Sequence, residues 1–172
     1  MHVNSRVEKK VIRAICNEVP QLVIDEGIYL VTYKDTLGYA TSGVGCLITD
    51  QHPLHGCAEG TPVETPMILS DFFEELHTKV YSDLRRFTDE ELSAMPLDVV
   101  QCLVNILFNM GSKLFRLFPS AVTAFRTQDW RRAALEMNYK NGLKPELGES
   151  LWCLQVHDRA DRIIDRIERH IK

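Results

Sequence analysis

No apolar run in this sequence approaches the ~20 residues that a helix needs to cross a bilayer. The first twenty residues, MHVNSRVEKKVIRAICNEVP, lack the apolar core of a secretory signal, which predicts cytoplasmic synthesis. Basic residues are in deficit. The 20 Lys and Arg face 24 Asp and Glu, so nucleic acid is not the expected partner. Cysteine is sparse and odd in number. The five at positions 16, 46, 57, 102 and 153 are irregularly spaced, which excludes a complete disulfide framework and predicts reduced, mostly buried thiols. Sequence alone leaves a Cys46–Cys57 bridge open. Internal repeats and low-complexity linkers are absent too, so neither a solenoid nor a string of domains is expected. The 172 residues suffice for one domain with a real core, or for two small lobes sharing a helix.

What is present is concentrated in residues 24–48, IDEGIYLVTYKDTLGYATSGVGCLI. Two carboxylates, Glu26 and Asp35, stand nine apart with turn-forming residues between and after them. Glycosidic hydrolysis needs one acid to protonate the leaving oxygen. It also needs a second carboxylate to activate water or stabilise positive charge at the anomeric carbon. A helix end followed by a strand and a turn can point both into one cleft. Glu26 is the candidate acid: at a helix C-terminus the dipole disfavours its anion and keeps a proton available. Asp35 is the candidate second carboxylate, and Thr41 a candidate holder of water. Each also has an ordinary reading: a surface acid at a helix end, a turn aspartate, a strand threonine.

In order, Glu26, Gly27, Leu30, Tyr33, Asp35, Gly38, Thr41, Gly43 and Gly45 reproduce E-G-x-x-L-x-x-Y-x-D-x-x-G-x-x-T-x-G-x-G without a gap. This segment resembles the active-site segment of the phage-type lysozymes, glycoside hydrolase family 24. Asn105 to Gly111 resembles that family's N-x-x-F-x-M-G, and Trp130-x-x-Ala133-Ala134 and Arg159-Ala160-x-Arg162 follow at similar spacing. The resemblance runs from about Pro20 to the C-terminus and is thin over 50–95. It implies a muramidase that cleaves the β-1,4 bond between N-acetylmuramic acid and N-acetylglucosamine with inversion, for phage-encoded host lysis. Asp35 and Thr41 would position water on the far face of the sugar, with the carboxylates about 6.5–9.5 Å apart. Arg159 would pair with the glutamate and favour its anion. Leu47 and Phe108 become cleft-wall candidates. The implied partner is the peptidoglycan glycan strand of the periplasmic wall, reached through a membrane lesion made by another protein. No cofactor, no stable membrane association and a monomer are expected.

Three features depart from that pattern. The family has His after G-x-G, where this chain has Cys46, cast here in a supporting role. Its polar sugar-contacting positions fall near Ala121 and Glu136. The charge is acidic, and unevenly so: residues 1–112 hold 8 Lys/Arg against 16 Asp/Glu. Anionic wall polymers then receive little electrostatic steering. Together these support an alternative, a catalytically weak or silent peptidoglycan-binding module. Cys46, His52, His55 and Cys57 could bind zinc by ligand type, and Cys46 with a histidine could act as a nucleophile. The spacing matches no compact zinc motif, and the expectation is no metal.

The fold class expected is α+β and mostly helical, two lobes with a small antiparallel sheet in the N-terminal one. Residues 1–19 read as an extension helix, with Val7, Val11, Ile12, Ile15 and Cys16 at helical spacing. It is expected to pack on the core, or alternatively to dock a partner. Pro20 predicts a break near Val19 and a second short helix ending at Glu26, capped by Gly27. The lysozyme-like domain spans 20–172: a sheet lobe over 20–70, a linking helix over 71–87 capped by Ser70, and a helical lobe over 88–172. Residues 97–110 are apolar nearly all round and predict a buried central helix stopped by Gly111. Further helices are expected near 119–126, 129–139 and 150–171.

Overall fold

A computed structural model describes residues 6–171. Residues 1–5 of the expected extension helix lie outside the described residues. Those described fall into two compact units, one of Val19–Thr78 and one of the residues up to Glu18 together with Lys79 onward.

Val11, Ala14, Glu18 and Leu22 recur every three to four residues, and all four are buried. They form one stripe of a single helix, α1 (Arg6–Glu26), with Pro20 inside it. The expected break near Val19 is therefore absent. Proline within a helix removes one backbone bond and costs about 3 kcal/mol. Here it stands on the exposed side. Burying Leu22, two residues further on, returns roughly 1.5–3 kcal/mol of that. Gly27, at φ 74°, ends the helix as expected, its N–H donating to the Val23 carbonyl at 2.9 Å.

In the unit Val19–Thr78, three strands follow: β1 (Tyr29–Lys34), β2 (Ala40–Gly43) and β3 (Cys46–Leu47). They pair antiparallel in the order β1-β2-β3. Tyr33 faces Thr41, and Thr41 faces Leu47, so these three form one row across the sheet. Cross-strand partners project to the same face. Ser42 pairs with Cys46 and projects to the other face. That second face packs on α2 (Thr65–Glu75), whose Ile68 and Phe72 are buried. A Cβ on Gly43 would come within 2.9 Å of Ile68 Cγ2, so the sheet approaches the helix as closely as glycine allows. The stretch 50–64 is irregular yet anchored. Buried Thr32 donates through Oγ1 to the Ala58 carbonyl and accepts from the Thr61 N–H.

The expected helix over 71–87 starts earlier, at Thr65. Pro66 in its first turn is the start signal, being preorganised there and lacking an N–H that would go unsatisfied. The helical run then passes through a π-helical segment, Leu76–Tyr81, into the short α3 (Ser82–Leu84).

The other unit is helical. Its α4 (Asp89–Ala94) was not expected, although Thr88 and Glu91 form a reciprocal capping box. The central helix α5 (Leu97–Met110) has the expected bounds and is buried on most sides. It is stopped at Gly111, whose N–H donates to the Leu107 carbonyl. Helices α6 (Lys113–Leu117), α7 (Pro119–Thr127) and α8 (Trp130–Asn138) follow. The expected helix over 150–171 is two, α9 (Leu151–Val156) and α10 (Asp158–Glu168). His157, at φ 43°, breaks the run. Ile163, Ile164 and Ile167 are buried in α10, which packs against α5, α8 and α9. The result is α+β and mostly helical with one small antiparallel sheet. No described helix is long and apolar enough to cross a membrane.

Candidate active site

Glu26 closes α1, and the chain turns at Gly27 straight into β1. Its half-buried carboxylate lies against the β2–β3 turn: a Cβ on Gly45 would sit 3.2 Å from Glu26 Oε2. Gly45 has φ 70°, a left-handed conformation that glycine adopts without strain. The G-x-G segment thus has two separate reasons for its glycines. Gly43 admits α2, and Gly45 admits the acid.

Asp35 sits at the β1–β2 turn, where its side chain builds the turn. Its Oδ1 accepts from the Leu37 N–H at 2.9 Å and the Tyr39 N–H at 2.8 Å. The ordinary reading, a turn aspartate, is thus correct as far as it goes. Both bonds are to the one oxygen, Oδ1, which holds the carboxyl to the turn. Thr41 is buried, and its hydroxyl donates to the Tyr39 carbonyl at 3.1 Å. That bond fixes the proton and leaves the oxygen's lone pairs directed away from it.

Tyr33 joins these groups. Its phenol is pushed up to about 12, chiefly by burial and then by Tyr29, Glu26, Asp35 and Cys46, each negative when ionised. Both carboxylates therefore act on one hydroxyl. Tyr33 is legible as part of the motif, but nothing in the sequence marks it as a group whose ionisation both acids oppose. Leu47, in the same row as Tyr33 and Thr41, is 42% exposed and is available to a ligand on that face.

Cys46 projects to the opposite face. Its Sγ, an imidazole nitrogen of His52 and a carboxylate oxygen of Asp71 all lie within 4.8 Å of one another. An imidazole is thus present beside position 46, supplied from six residues downstream. His52 Nε2 meets Asp71 Oδ2 at 3.1 Å, and His52 Nδ1 accepts from the Leu54 N–H at 3.1 Å. That backbone donor fixes the tautomer, leaving the proton on Nε2. The ring then offers a proton, not a lone pair, to its neighbours, which suits neither a metal ligand nor a base for a cysteine nucleophile. His55 and Cys57 are exposed and do not join the cluster. All five cysteines are free thiols, so the bridge left open between Cys46 and Cys57 is not formed. Cys16 and Cys57 are exposed, the other three buried.

The remaining candidates lie in the helical unit. Arg159 is 8% exposed in α10, its Nε donating to Asn105 Oδ1 at 2.7 Å. Phe108 is only 7% exposed, so most of its ring is core. Ala121 is wholly buried, while Glu136 pairs with Arg132 one turn earlier and lines an open groove of about 680 Å³. Phe118, Tyr139, Asn141 and Trp152 line the same groove.

No family model matches the chain. It is 29% identical over 164 residues to probable T4-type lysozyme 1 of Dictyostelium discoideum, covering 86% of this chain and 91% of that protein. The chain is thus similar in sequence to proteins named T4-type lysozymes. Probable T4-type lysozyme 2 of the same organism is 28% identical over the same shares of each chain. The pre-baseplate central spike protein Gp5 of Enterobacteria phage T4 is 27% identical over 156 residues. That match covers 81% of this chain, which spans only 25% of the phage protein.

Proposed function

We propose that the chain is an endolytic muramidase, hydrolysing the β-1,4 bond between N-acetylmuramic acid and N-acetylglucosamine of peptidoglycan with inversion. Glu26 protonates the glycosidic oxygen as the bond to the anomeric carbon breaks. Asp35, through the oxygen not spent on its turn, takes a proton from a water that attacks the opposite face of the sugar. Thr41 orients that water through its lone pairs. Leu47 flanks the saccharide, and Arg159 supports the acid. Phe108 offers at most its exposed edge. Cys46 supports the sheet from behind through the His52–Asp71 cluster.

The observation that supports this reading is the placement of Glu26 against the β2–β3 turn at Gly45, in the sheet whose β1–β2 turn holds Asp35 and whose Thr41 lies directly across from Tyr33. Two acids from separate elements, a helix end and a hairpin turn, thus meet the same small sheet. Positioned acid catalysis contributes about 10²- to 10⁴-fold. Clearing of permeabilised Gram-negative cells should therefore fall by that range in Glu26→Gln. Wild type and variant clearing at one rate would refute the hydrolase.

The second reading, a silent wall-binding module, draws on Ala121 and Glu136, which stand where the family pattern has polar sugar contacts. It predicts that wild type sediments with purified peptidoglycan but releases no reducing ends.

A further inference from the structure

Glu18 has no part in the chemistry above, yet it is an acid only 3% exposed in the middle of α1. It does not stand alone. Its Oε1 accepts from Asn105 Nδ2 at 3.0 Å, and both its oxygens lie 3.1 Å from Arg166 Nη1. Arg166 also donates through Nη2 to Gln101 Oε1 at 3.0 Å and to the Asp98 carbonyl at 3.4 Å. Burial works against the Arg166 cation, but Cys102, Glu18 and Asp98 outweigh it and hold the proton more firmly than usual.

Asn105, wholly buried in α5, connects this pair to Arg159. Its Nδ2 faces the Glu18 carboxylate, while its Oδ1 accepts from Arg159 Nε at 2.7 Å and its backbone carbonyl from Arg159 Nη2 at 3.2 Å. A buried amide can sit either way round. Here the two charges choose. A flipped Asn105 would turn its oxygen toward the carboxylate and its NH₂ toward the guanidinium, losing both charge-assisted bonds. Remove the carboxylate and that choice weakens, and the guanidinium loses a fixed acceptor.

We infer that Glu18, held by Arg166, is a positioning residue that sets the place of the Arg159 guanidinium through Asn105. The inference rests on the reading of Arg159 as support for the acid. It gives α1 a purpose before the catalytic segment begins.

The test uses the full chain and replaces the ion pair as a unit, Glu18→Leu with Arg166→Met. Apolar replacement of a buried pair is often neutral or stabilising. The melting temperature should therefore hold, while kcat on a soluble glycan falls about ten- to a hundredfold, the cost of a slightly misplaced group, with KM unchanged. In an Arg159→Gln background the same pair replacement should cost less than about twofold, since no guanidinium remains to be placed. Glu18→Gln, isosteric and still an acceptor for Asn105, should keep most of the lost kcat even if the apolar pair fails to fold. An unchanged kcat in the apolar pair overturns the inference. So does an equal loss with and without Arg159, or a loss in Glu18→Gln as large as in the apolar pair. If Arg159→Gln alone leaves kcat at the wild-type value, the reading of Arg159 falls instead, and the relay with it.

Discussion

Gly45→Ala puts the geometry around the acid to a quantitative test. Gly45 has φ 70°, and its added Cβ would meet Glu26 Oε2 at 3.2 Å and Cδ at 3.7 Å. Two costs follow, and they separate. The left-handed backbone costs an alanine roughly 1–2 kcal/mol wherever it occurs. In a chain of this length that lowers the melting temperature by about 2–8 °C. The second cost is local: the carboxylate must give way by a few tenths of an ångström. Misplacing a reacting group by about 1 Å can cost 10²-fold in rate, so a smaller shift should cost about three- to tenfold in kcat. Gly56 supplies the control. It has φ 78° and nothing within 4 Å of where its Cβ would sit. Gly56→Ala should lose the same stability and keep its rate. Calorimetry and initial rates on a soluble glycan read the two effects. Equal rates for the two variants would refute the claim that Gly45 exists to make room for the acid.

Other consequences can be measured independently. His52→Ala removes the partner of Asp71 and the acceptor of the Leu54 N–H, and leaving such groups unsatisfied should destabilise the fold by about 1–3 kcal/mol in urea titration; no change would remove the cluster's structural role. Raised pKa values make alkaline stability testable. Burial pushes the Cys102 thiol up to about 12 from an ordinary 9.0, and Tyr33 is raised to about 12 from 10.0. The folded state then keeps protons that the unfolded chain releases, so stability is full below pH 9.0 and declines as pH rises toward about 12. Cys102→Val should flatten that decline; an unaltered slope would contradict the assignment. The unit Val19–Thr78 carries one Lys against nine Asp and Glu. Clearing of anionic walls should therefore speed up as salt rises from low ionic strength, because screening weakens the repulsion; a steady decline with salt would argue for hidden basic steering.

The parts of this fold legible in the sequence were those fixed by local chemistry. Residues 97–110 have too little polar surface to face water, and α5 is buried accordingly. Gly27 ends α1 because only a left-handed residue lets the chain turn there into β1. The misreadings come from tertiary terms that outweigh local ones. Pro20 should stop a helix, but the buried stripe continues past it to Leu22. The α10 pattern continues back through His157 into α9, yet the chain turns at a residue with no glycine signal. Pro66 and the Thr88 to Glu91 box are local signals that mark the starts of α2 and α4.

The site shows the same division. Glu26, Asp35 and Thr41 stand out as candidates in the sequence because their spacing follows one helix end, one hairpin and one strand pairing. The surroundings of Cys46 do not. His52 reaches it through an irregular loop, and Asp71 from the helix that follows that loop, so no short sequence spacing marks the three as a cluster. Nor could the sequence link Glu18 to Arg159, which are joined only through Asn105.

The central claim is that Glu26 supplies the proton for glycosidic cleavage. Its most direct test is the initial rate on a defined muropeptide oligomer, with products resolved by chromatography, for wild type and Glu26→Gln. The account predicts steady release of fragments ending in reducing N-acetylmuramic acid, and a loss of about 10²- to 10⁴-fold in the variant. Cleavage by the variant at the wild-type rate would contradict it.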